Sequence, residues 1–235
     1  MKRTALLVVL VCFCVPTTAL PEDANGLLSK LESALEARPN DLKAGNDYRQ
    51  AIIQSGQYDR ALKFFEGLVG RQPKAANTRL NYGFAYVDKI PAAGAITQVI
   101  LANNALTQFS EALKLERSWI GLYTRGNSYL YWPPIFNRAS LGIADLEQAL
   151  QLQRTQKKQN YHVRVYVTLG DGYWKVSQPE KALATWKDGL HEFPDNPDLK
   201  ARLSRQGSEL QTLVDSAFDF TKRVDTNLQD LWRSE

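Results

Sequence analysis

The sequence predicts an all-α fold built from repeated helix hairpins. Apolar residues recur at helical spacing, as between Leu27 and Leu35. Pro39 and Pro73 each stand where a helix must stop, and they lie 34 residues apart, which is the length of a helix–turn–helix repeat. A glycine followed three residues later by tyrosine returns in the later repeats. Stacked hairpins of this kind would bury one continuous core.

The repeat is clearest between residues 163 and 194. Small residues at positions 170 and 182 would let two helices approach closely, and aromatic rings would fill the space between them. The residues that carry the pattern are Leu169, Gly170, Tyr173, Ala182, Trp186 and Pro194. This order resembles the tetratricopeptide repeat pattern L-G-x2-Y, A-x3-F and a closing proline, with tryptophan in the phenylalanine place. The resemblance implies a right-handed α-solenoid of such hairpins, with an N-terminal half-repeat and a C-terminal capping helix.

The first segment of the chain is typical of a secretory signal peptide. Lys2 and Arg3 precede an apolar run, residues 5–15, that is too short to span a bilayer comfortably, and small residues follow it. We expect residues 1–19 to be removed by cleavage after Ala19, so that the protein is exported and is periplasmic or secreted. The alternative is an uncleaved anchor, which would be the only expected membrane contact. Both cysteines lie in this segment, so the mature chain would have no disulfide.

Four repeats are expected between two end structures. Residues 20–39 predict an N-terminal capping helix, and the repeats follow in residues 40–75, 76–117, 118–160 and 161–196. The first repeat departs from the family pattern in its first helix, where Gly45 and Arg49 replace the usual aromatic residue and glycine. The second and third carry the glycine–tyrosine signature at Gly83 and Gly126.

The end of the chain, residues 197–235, predicts a C-terminal helical cap. Apolar residues from Leu203 to Leu231 form one stripe at helical spacing, and Gly207 is a point where the helix could break in two. We favour a cap that covers the last repeat. The alternative is a coiled-coil arm for dimerisation, which the imperfect heptads at Gln206 and Asn227 disfavour.

Two connections are longer than the family turn. Residues 88–104 and 131–136 each join a first helix to a second helix in adjacent repeats, so they should be neighbours at one edge of the solenoid. Trp132, Ile135 and Phe136 are candidate partner-binding residues there if they form an exposed apolar patch. The alternative, which we favour, is that the loops pack on each other as a buried plug.

Composition and motifs argue against catalysis and against a nucleic-acid partner. The formal charge is +4, and removal of Lys2 and Arg3 leaves 27 basic against 25 acidic residues. The two histidines have no metal-ligand spacing, and the chain has no phosphate-binding loop or nucleophile motif. We therefore expect a non-enzymatic protein without a cofactor or a metal.

The resemblance also places candidate partner-binding residues. In tetratricopeptide proteins the first helices line a concave groove that commonly holds an extended peptide or a partner helix. Register places the following residues there: Asn46, Gln50, Leu80, Phe84, Tyr123, Asn127, Arg164, Val167, Asp171 and Trp174. Aromatic rings supply contact area and amides can pair with a peptide backbone, although some of these rings could instead pack against the next repeat. Only Asn127 and Arg164 suit the family's carboxylate clamp, so no such clamp is expected.

These features imply a protein–protein interaction scaffold or adaptor outside the cytoplasm, which binds a peptide or protein segment in the groove. The alternative is a self-assembling structural subunit of a larger extracytoplasmic complex. That subunit would use the edge loops or the last helix. The oligomeric state and the identity of the partner do not follow from the residues.

Overall fold

A computed structural model describes residues 22–232, and this part of the chain confirms the predicted all-α fold class. It contains eleven α-helices and no strand. The predicted signal peptide, residues 1–19, and its cleavage point after Ala19 lie outside the described residues. The first six helices are α1 Glu22–Ala37, α2 Leu42–Ser55, α3 Tyr58–Arg71, α4 Ala76–Lys89, α5 Ala95–Leu115 and α6 Trp119–Leu130. The other five are α7 Ala139–Gln153, α8 Val163–Lys175, α9 Pro179–Glu192, α10 Pro197–Leu203 and α11 Gly207–Ala217.

The helices pair into four hairpins that stack on one another. The hairpins are α2–α3, α4–α5, α6–α7 and α8–α9. Each second helix packs on the first helix of the next hairpin, α3 on α4, α5 on α6 and α7 on α8. At the ends, α1 packs on α2, α10 on α9 and α11 on α8. The apolar stripes of all these helices therefore meet in a core that runs along the stack.

The α8–α9 hairpin shows why the signature residues are needed. The fully buried Trp186 indole lies directly over Gly170, so that a Cβ added to the glycine would overlap it. The indole Nε1 donates a hydrogen bond to the Val167 carbonyl, 3.3 Å away. Ala182 is also buried, and α9 ends at Glu192, two residues before Pro194. The aromatic ring and the missing side chain thus set the distance between the two helices.

Glycine performs the same task in the two preceding hairpins. A Cβ on Gly83 would overlap the Phe109 ring of α5, and a Cβ on Gly126 would lie 2.9 Å from the Gly142 carbonyl of α7. All three signature glycines therefore lie at contacts between the helices of a hairpin, as the sequence pattern predicts.

Local signals explain several helix ends. Asp41, Ser118 and Asn196 precede α2, α6 and α10, and the side-chain oxygen of each accepts the backbone N–H three residues later, at 2.9, 3.3 and 3.0 Å. Gly56 ends α2 with φ of 70°, a left-handed conformation that glycine adopts without strain.

The long connections lie at one edge of the stack. After α4 a 3₁₀ turn, Ile90–Ala92, leads into the 21-residue α5, which carries the first insertion as extra helix. The second insertion forms the 3₁₀ turn Pro134–Phe136. Residues of both insertions line the same cleft. Just after the second insertion, the Arg138 guanidinium donates to the side-chain carbonyl of Asn103 in the first, at 3.0 Å.

The end of the chain differs from the predicted helical cap. Helices α10 and α11 are separated just before Gly207 and cover the last hairpin, but α11 ends at Ala217. The next residues contain no α-helix, and residues 223–228 have no regular secondary structure. The prediction that 197–235 is a helical cap is therefore wrong for residues 218–232. A coiled-coil arm from this segment is excluded for the same reason.

Candidate functional site

A groove crosses the helices that come first in each hairpin. We define the groove by residues that α2, α4, α6 and α8 contribute to it: Asn46, Phe84, Tyr123 and Arg164. Residues 219–232, which we call the tail, turn back from α11, and residues 224–231 of the tail lie in this groove. Residues as far apart in sequence as Asn46 and Leu228 are thereby joined by a hydrogen bond of 3.0 Å.

The tail buries alternate residues in the groove. Thr226 and Leu228 are only 5% and 7% exposed, whereas Asp225, which precedes them, is exposed to solvent. Burial of every second residue is typical of an extended segment that lies on a surface. The groove therefore holds a segment of the same general shape as a bound peptide.

A buried polar cluster contacts the middle of the tail. The Arg49 guanidinium of α2 donates to the Asp88 carboxylate at 3.0 Å, and neither side chain is more than 1% exposed. Its Nε donates to Asn81 at 3.2 Å, and its Nη2 donates to the Asn46 side-chain carbonyl at 3.2 Å and to the Thr226 backbone carbonyl at 3.0 Å. All three guanidinium nitrogens are therefore used, which satisfies a charge that would otherwise be costly to bury.

The same cluster recognises both backbone and side chain of the tail. The Leu228 N–H donates to the Asn46 side-chain carbonyl, and the Thr226 hydroxyl donates to the Asp88 carboxylate. The Asn46 amide also donates to the Asn227 side chain at 3.4 Å. Two of these groove residues, Asn46 and Arg49, therefore bind main-chain groups, which any peptide would present.

Apolar and charged contacts hold the end of the tail. Leu228 joins the apolar cluster of α4 and α5 that contains Leu80, Phe84 and Phe109. The Arg164 guanidinium of α8 forms an ion pair with Asp230. Burial by itself would lower the pKa of Arg164, but Tyr123 and Asp230 raise the pKa by more than burial lowers it. The net shift is upward, so the guanidinium stays charged.

The tail leaves part of the groove unfilled. A cavity of about 70 Å³ lies between tail residues 224–231 and the groove, with walls that include Tyr123, Asn127 and Arg164. The Tyr123 ring is held in place by stacking on Trp119, with centroids 5.2 Å apart. A cavity of this size and mixed polarity could accept a side chain larger than those the tail presents.

Other residues predicted for the groove lie elsewhere. Asp171 is 1% exposed and forms a two-pronged ion pair with Arg202 of α10, at 2.5 and 2.6 Å, so it cannot contact a ligand. Burial raises the pKa of Asp171 above its ordinary value, and the Arg202 pair opposes that shift. Placing this residue at the groove surface was wrong because the C-terminal helices cover it.

Trp174 and Val167 also face the C-terminal end. The Trp174 indole packs near Trp186 and donates to the Gln211 side chain of α11 at 2.8 Å. Val167 packs against the apolar cluster that contains Trp186. Leu80 is 1% exposed and belongs to the core under the tail. Gln50 is half-buried in α2. The structure thus brings together Asn46, Phe84, Tyr123, Asn127 and Arg164 around the tail. Leu80 lies in the core beneath them, whereas Val167, Asp171 and Trp174 face the C-terminal helices.

The edge loops form a second surface beside the groove. Trp132 is 8% exposed and lies under the Arg138 guanidinium, whose central carbon is 3.7 Å from the ring centroid. Ile135 and Phe136, by contrast, are 88% and 53% exposed. The favoured expectation of a buried plug is therefore wrong for two of the three residues, since only Trp132 is packed away.

An apolar cleft of about 320 Å³ lies next to these loops. Its walls come from the start of α5, from the loop that contains Trp132, and from tail residues Phe220 and Val224.

Among the described residues no group of three histidine, cysteine or acidic side chains could hold a metal ion. Within the same range, 22–232, no helix is both long and apolar enough to cross a membrane.

The geometry defines a helical-repeat protein with a groove on the first helices of its hairpins. Solved structures of tetratricopeptide repeat proteins have the same fold. The protein TTC0263 of Thermus thermophilus superimposes with a TM-score of 0.57 at 23% identity, over 80% of this chain and 91% of that one. MamA gives a TM-score of 0.52 at 16% identity, over 73% of this chain and 90% of that one. The chain therefore has the tetratricopeptide repeat fold.

A third similar structure has a described binding site. YrrB, described as a tetratricopeptide protein with an unusual peptide-binding site, gives a TM-score of 0.51 at 16% identity, over 82% of this chain and 93% of that one. Neither a protein-family model nor a curated protein sequence matches the chain.

Sequence reasoning missed the residues that bind the tail most closely. Arg49 stood out only as a departure from the repeat pattern, and Asp88 was assigned to an insertion. Their spacing in sequence gives no sign that they meet, but an arginine at a position that normally holds glycine indicates that this helix departs from the family's packing. Leu228 belongs to the apolar stripe that predicts a helix, and Thr226 lies between members of that stripe.

Proposed function

We propose that the protein is a non-catalytic interaction scaffold that binds an extended peptide segment of a partner protein in the groove, outside the cytoplasm. The observation that carries the proposal is the tail itself, because the groove already holds a non-helical segment through its backbone groups. Arginine and asparagine side chains that bind main-chain carbonyl and N–H groups suit peptides of many sequences. The peptide-binding site described for the similar structure YrrB supports this use of the fold.

Location outside the cytoplasm rests on the signal-peptide pattern of residues 1–19. Mass spectrometry of the protein isolated from its native cell tests this part. The expected mass is that of a chain beginning at Leu20. A chain that retains Lys2 and Arg3 in a cytoplasmic fraction would contradict export.

The groove is tested by capturing partner proteins with matched variants. Tyr123→Ala with Asn127→Ala removes two walls of the unfilled cavity and leaves Asn46, Arg49 and Asp88, which bind Thr226 and Leu228, unchanged. Lys187→Ala changes an exposed residue of α9, a second helix, and serves as the control. The partner should be lost with the groove variant and retained with the control. Retention by a folded groove variant would exclude the groove as the binding surface.

A second candidate function is self-assembly as a structural subunit, which the exposed apolar edge favours. Ile96, Ile100, Ile135 and Phe136 are each more than half exposed beside the apolar cleft. Light scattering tests it with the mature protein and with Ile135→Lys combined with Phe136→Ser. Self-assembly predicts oligomers that the double variant abolishes. A monomer at tens of micromolar, roughly the range where weak assembly appears, would contradict it.

A further inference from the structure

The tail is attached to the groove in the way a ligand is attached, not in the way a core element is. Residues 223–228 have no regular secondary structure, and their contacts with the groove come from its side chains, chiefly Arg49, Asn46 and Asp88. The tail is also held by an ion pair between Asp230 and Arg164, which is over a third exposed, and by a hydrogen bond from Arg223 to the Tyr58 hydroxyl at 2.8 Å. Leu231 and Trp232 pack against the apolar cluster of α4 and α5. Segments outside the packed helices open more easily than the helices themselves.

The tail presents three side chains to three distinct parts of the groove. The Thr226 hydroxyl meets the Asp88 carboxylate, the Leu228 side chain enters the apolar cluster around Phe84, and the Asp230 carboxylate meets Arg164. The order is a hydroxyl residue, a leucine two positions later and an acid two positions after that. Each part of the groove is chemically matched to its residue, so the groove has a preference that the tail reveals.

The fit of the tail is nevertheless incomplete. The cavity of about 70 Å³ that remains beneath it is lined by both tail and groove residues. Voids forfeit contacts that a better-shaped occupant would make. A segment with a larger side chain at the position of Asn227 or Asp225 could fill that space. The tail therefore behaves as a moderate ligand whose occupancy is helped by its attachment to the same chain.

We propose that the tail is a tethered competitor for the groove. The external ligand is an extended protein segment with Thr or Ser, then Leu two residues later, then Asp or Glu two residues after that. This inference rests on the proposed function and adds to it both a ligand class and a means of regulation. A tethered segment acts at an effective concentration of about 1 mM, so the groove is closed until a ligand outcompetes it. The apparent affinity for an external segment is lowered by the fraction of molecules in which the groove is open.

The test uses a fluorescent peptide with the sequence of residues 222–232 and the full chain. Leu228→Asp combined with Asp230→Arg releases the tail, because it puts a charge in an apolar site and replaces the attraction to Arg164 by repulsion. Lys222→Ala, at an exposed tail position, is the control. We expect the released chain to bind the peptide about ten- to a hundred-fold more tightly than the unaltered chain or the control.

A charge reversal identifies the place of binding. Arg164→Glu combined with Leu228→Asp leaves Asp230 in place, so the tail stays repelled, and it should weaken binding at least about ten-fold relative to the released chain. A peptide with lysine in place of Asp230 should restore binding. Asp230→Arg alone changes one exposed residue of the tail and gives a second, milder release if the double variant unfolds. Its expected affinity lies between those of the unaltered and the fully released chains.

Two outcomes overturn the inference in different ways. Equal affinity of the unaltered and released chains, with the same dependence on Arg164, would show a peptide groove that the tail does not regulate, and the proposed function would survive. Absence of binding to either folded released chain would exclude this ligand class. The proposed function would then be decided by partner capture with the groove variant alone.

Discussion

Replacement of Arg49 by methionine should be one of the most damaging single changes in the described chain. Methionine keeps much of the side-chain volume but removes the charge that balances Asp88. Both side chains are at most 1% exposed, so the Asp88 carboxylate would remain buried without its ion-pair partner. Removal of one member of a buried pair costs about 3–5 kcal/mol.

The corresponding fall in melting temperature can be estimated from the size of the chain. A loss of 1 kcal/mol lowers the melting temperature of a protein of this length by about 2–4 °C, so Arg49→Met should lower it by about 6–20 °C. Thermal unfolding followed by circular dichroism measures this. The control is Arg71→Met, whose partner Glu36 and own side chain are each 56% exposed, and this change should cost only about 0–1 kcal/mol.

A double variant tests the reason for the loss. Arg49→Met with Asp88→Leu removes both charges, and it should recover much of the stability because no uncompensated charge stays buried. If Arg49→Met is no less stable than Arg71→Met, the buried pair contributes nothing and the described cluster is wrong. If the double variant is less stable than the single one, desolvation of Asp88 is not the cause.

Two further predictions concern packing and pH. Gly170→Ala should destabilise the chain by about 1–3 kcal/mol in urea unfolding, because the added Cβ would overlap Trp186. The control Gly26→Ala, at an exposed helical site with open space around it, should be neutral or stabilising. Equal effects of the two changes would show that the close packing on Gly170 is not the cause. Burial lowers the pKa of His162 below its ordinary 6.5, while Glu192 partly opposes this, so the unfolded chain takes up a proton more readily than the folded one. Stability should therefore fall as pH decreases from about 6.5 towards the lower folded pKa, and the melting temperature of His162→Gln should lose that part of the pH dependence. An unchanged pH dependence in that variant would show that His162 does not titrate differently on folding.

The hairpins could be predicted because their signals are local. Gly170, Tyr173 and Trp186 lie within one repeat, and the spacing that brings them together is set by helix geometry. The stop before Pro194 and the break before Gly207 likewise follow from the backbone limits of single residues. Nothing beyond one repeat and its neighbour was needed to infer the all-α solenoid.

The tail could not be predicted from periodicity because its contacts are distant in sequence. Val224, Leu228 and Leu231 keep helical spacing, which favoured a helix, but Asp219, Asp225 and Asn227 each accept the backbone N–H two residues later, at 2.9, 2.9 and 3.1 Å. Such local side-chain hydrogen bonds compete with a helix. These closely spaced Asp and Asn residues were the signal that an apolar stripe concealed.

The partners of the buried charged residues could not be predicted for a related reason. Asp171 has groove register on α8, and a charge on a helix is usually solvated, but Arg202 from α10 reaches it 31 residues later in the sequence. The Arg49–Asp88 pair spans 39 residues. Pairing across repeats depends on how the hairpins stack, which a single repeat pattern does not specify.

Hydrogen exchange at the Leu228 amide tests most directly whether the groove holds the tail in solution. The Leu228 N–H donates to the Asn46 side chain at 3.0 Å, and Leu228 is only 7% exposed. Its exchange should therefore be slower by about ten-fold or more than exchange at the amide of Arg223, an exposed residue of the same tail. NMR of the protein labelled with ¹⁵N-leucine and ¹⁵N-arginine measures both rates, and Asn46→Ala should abolish the difference. Exchange at Leu228 as fast as at Arg223 in the unaltered protein would contradict a groove occupied by its own tail.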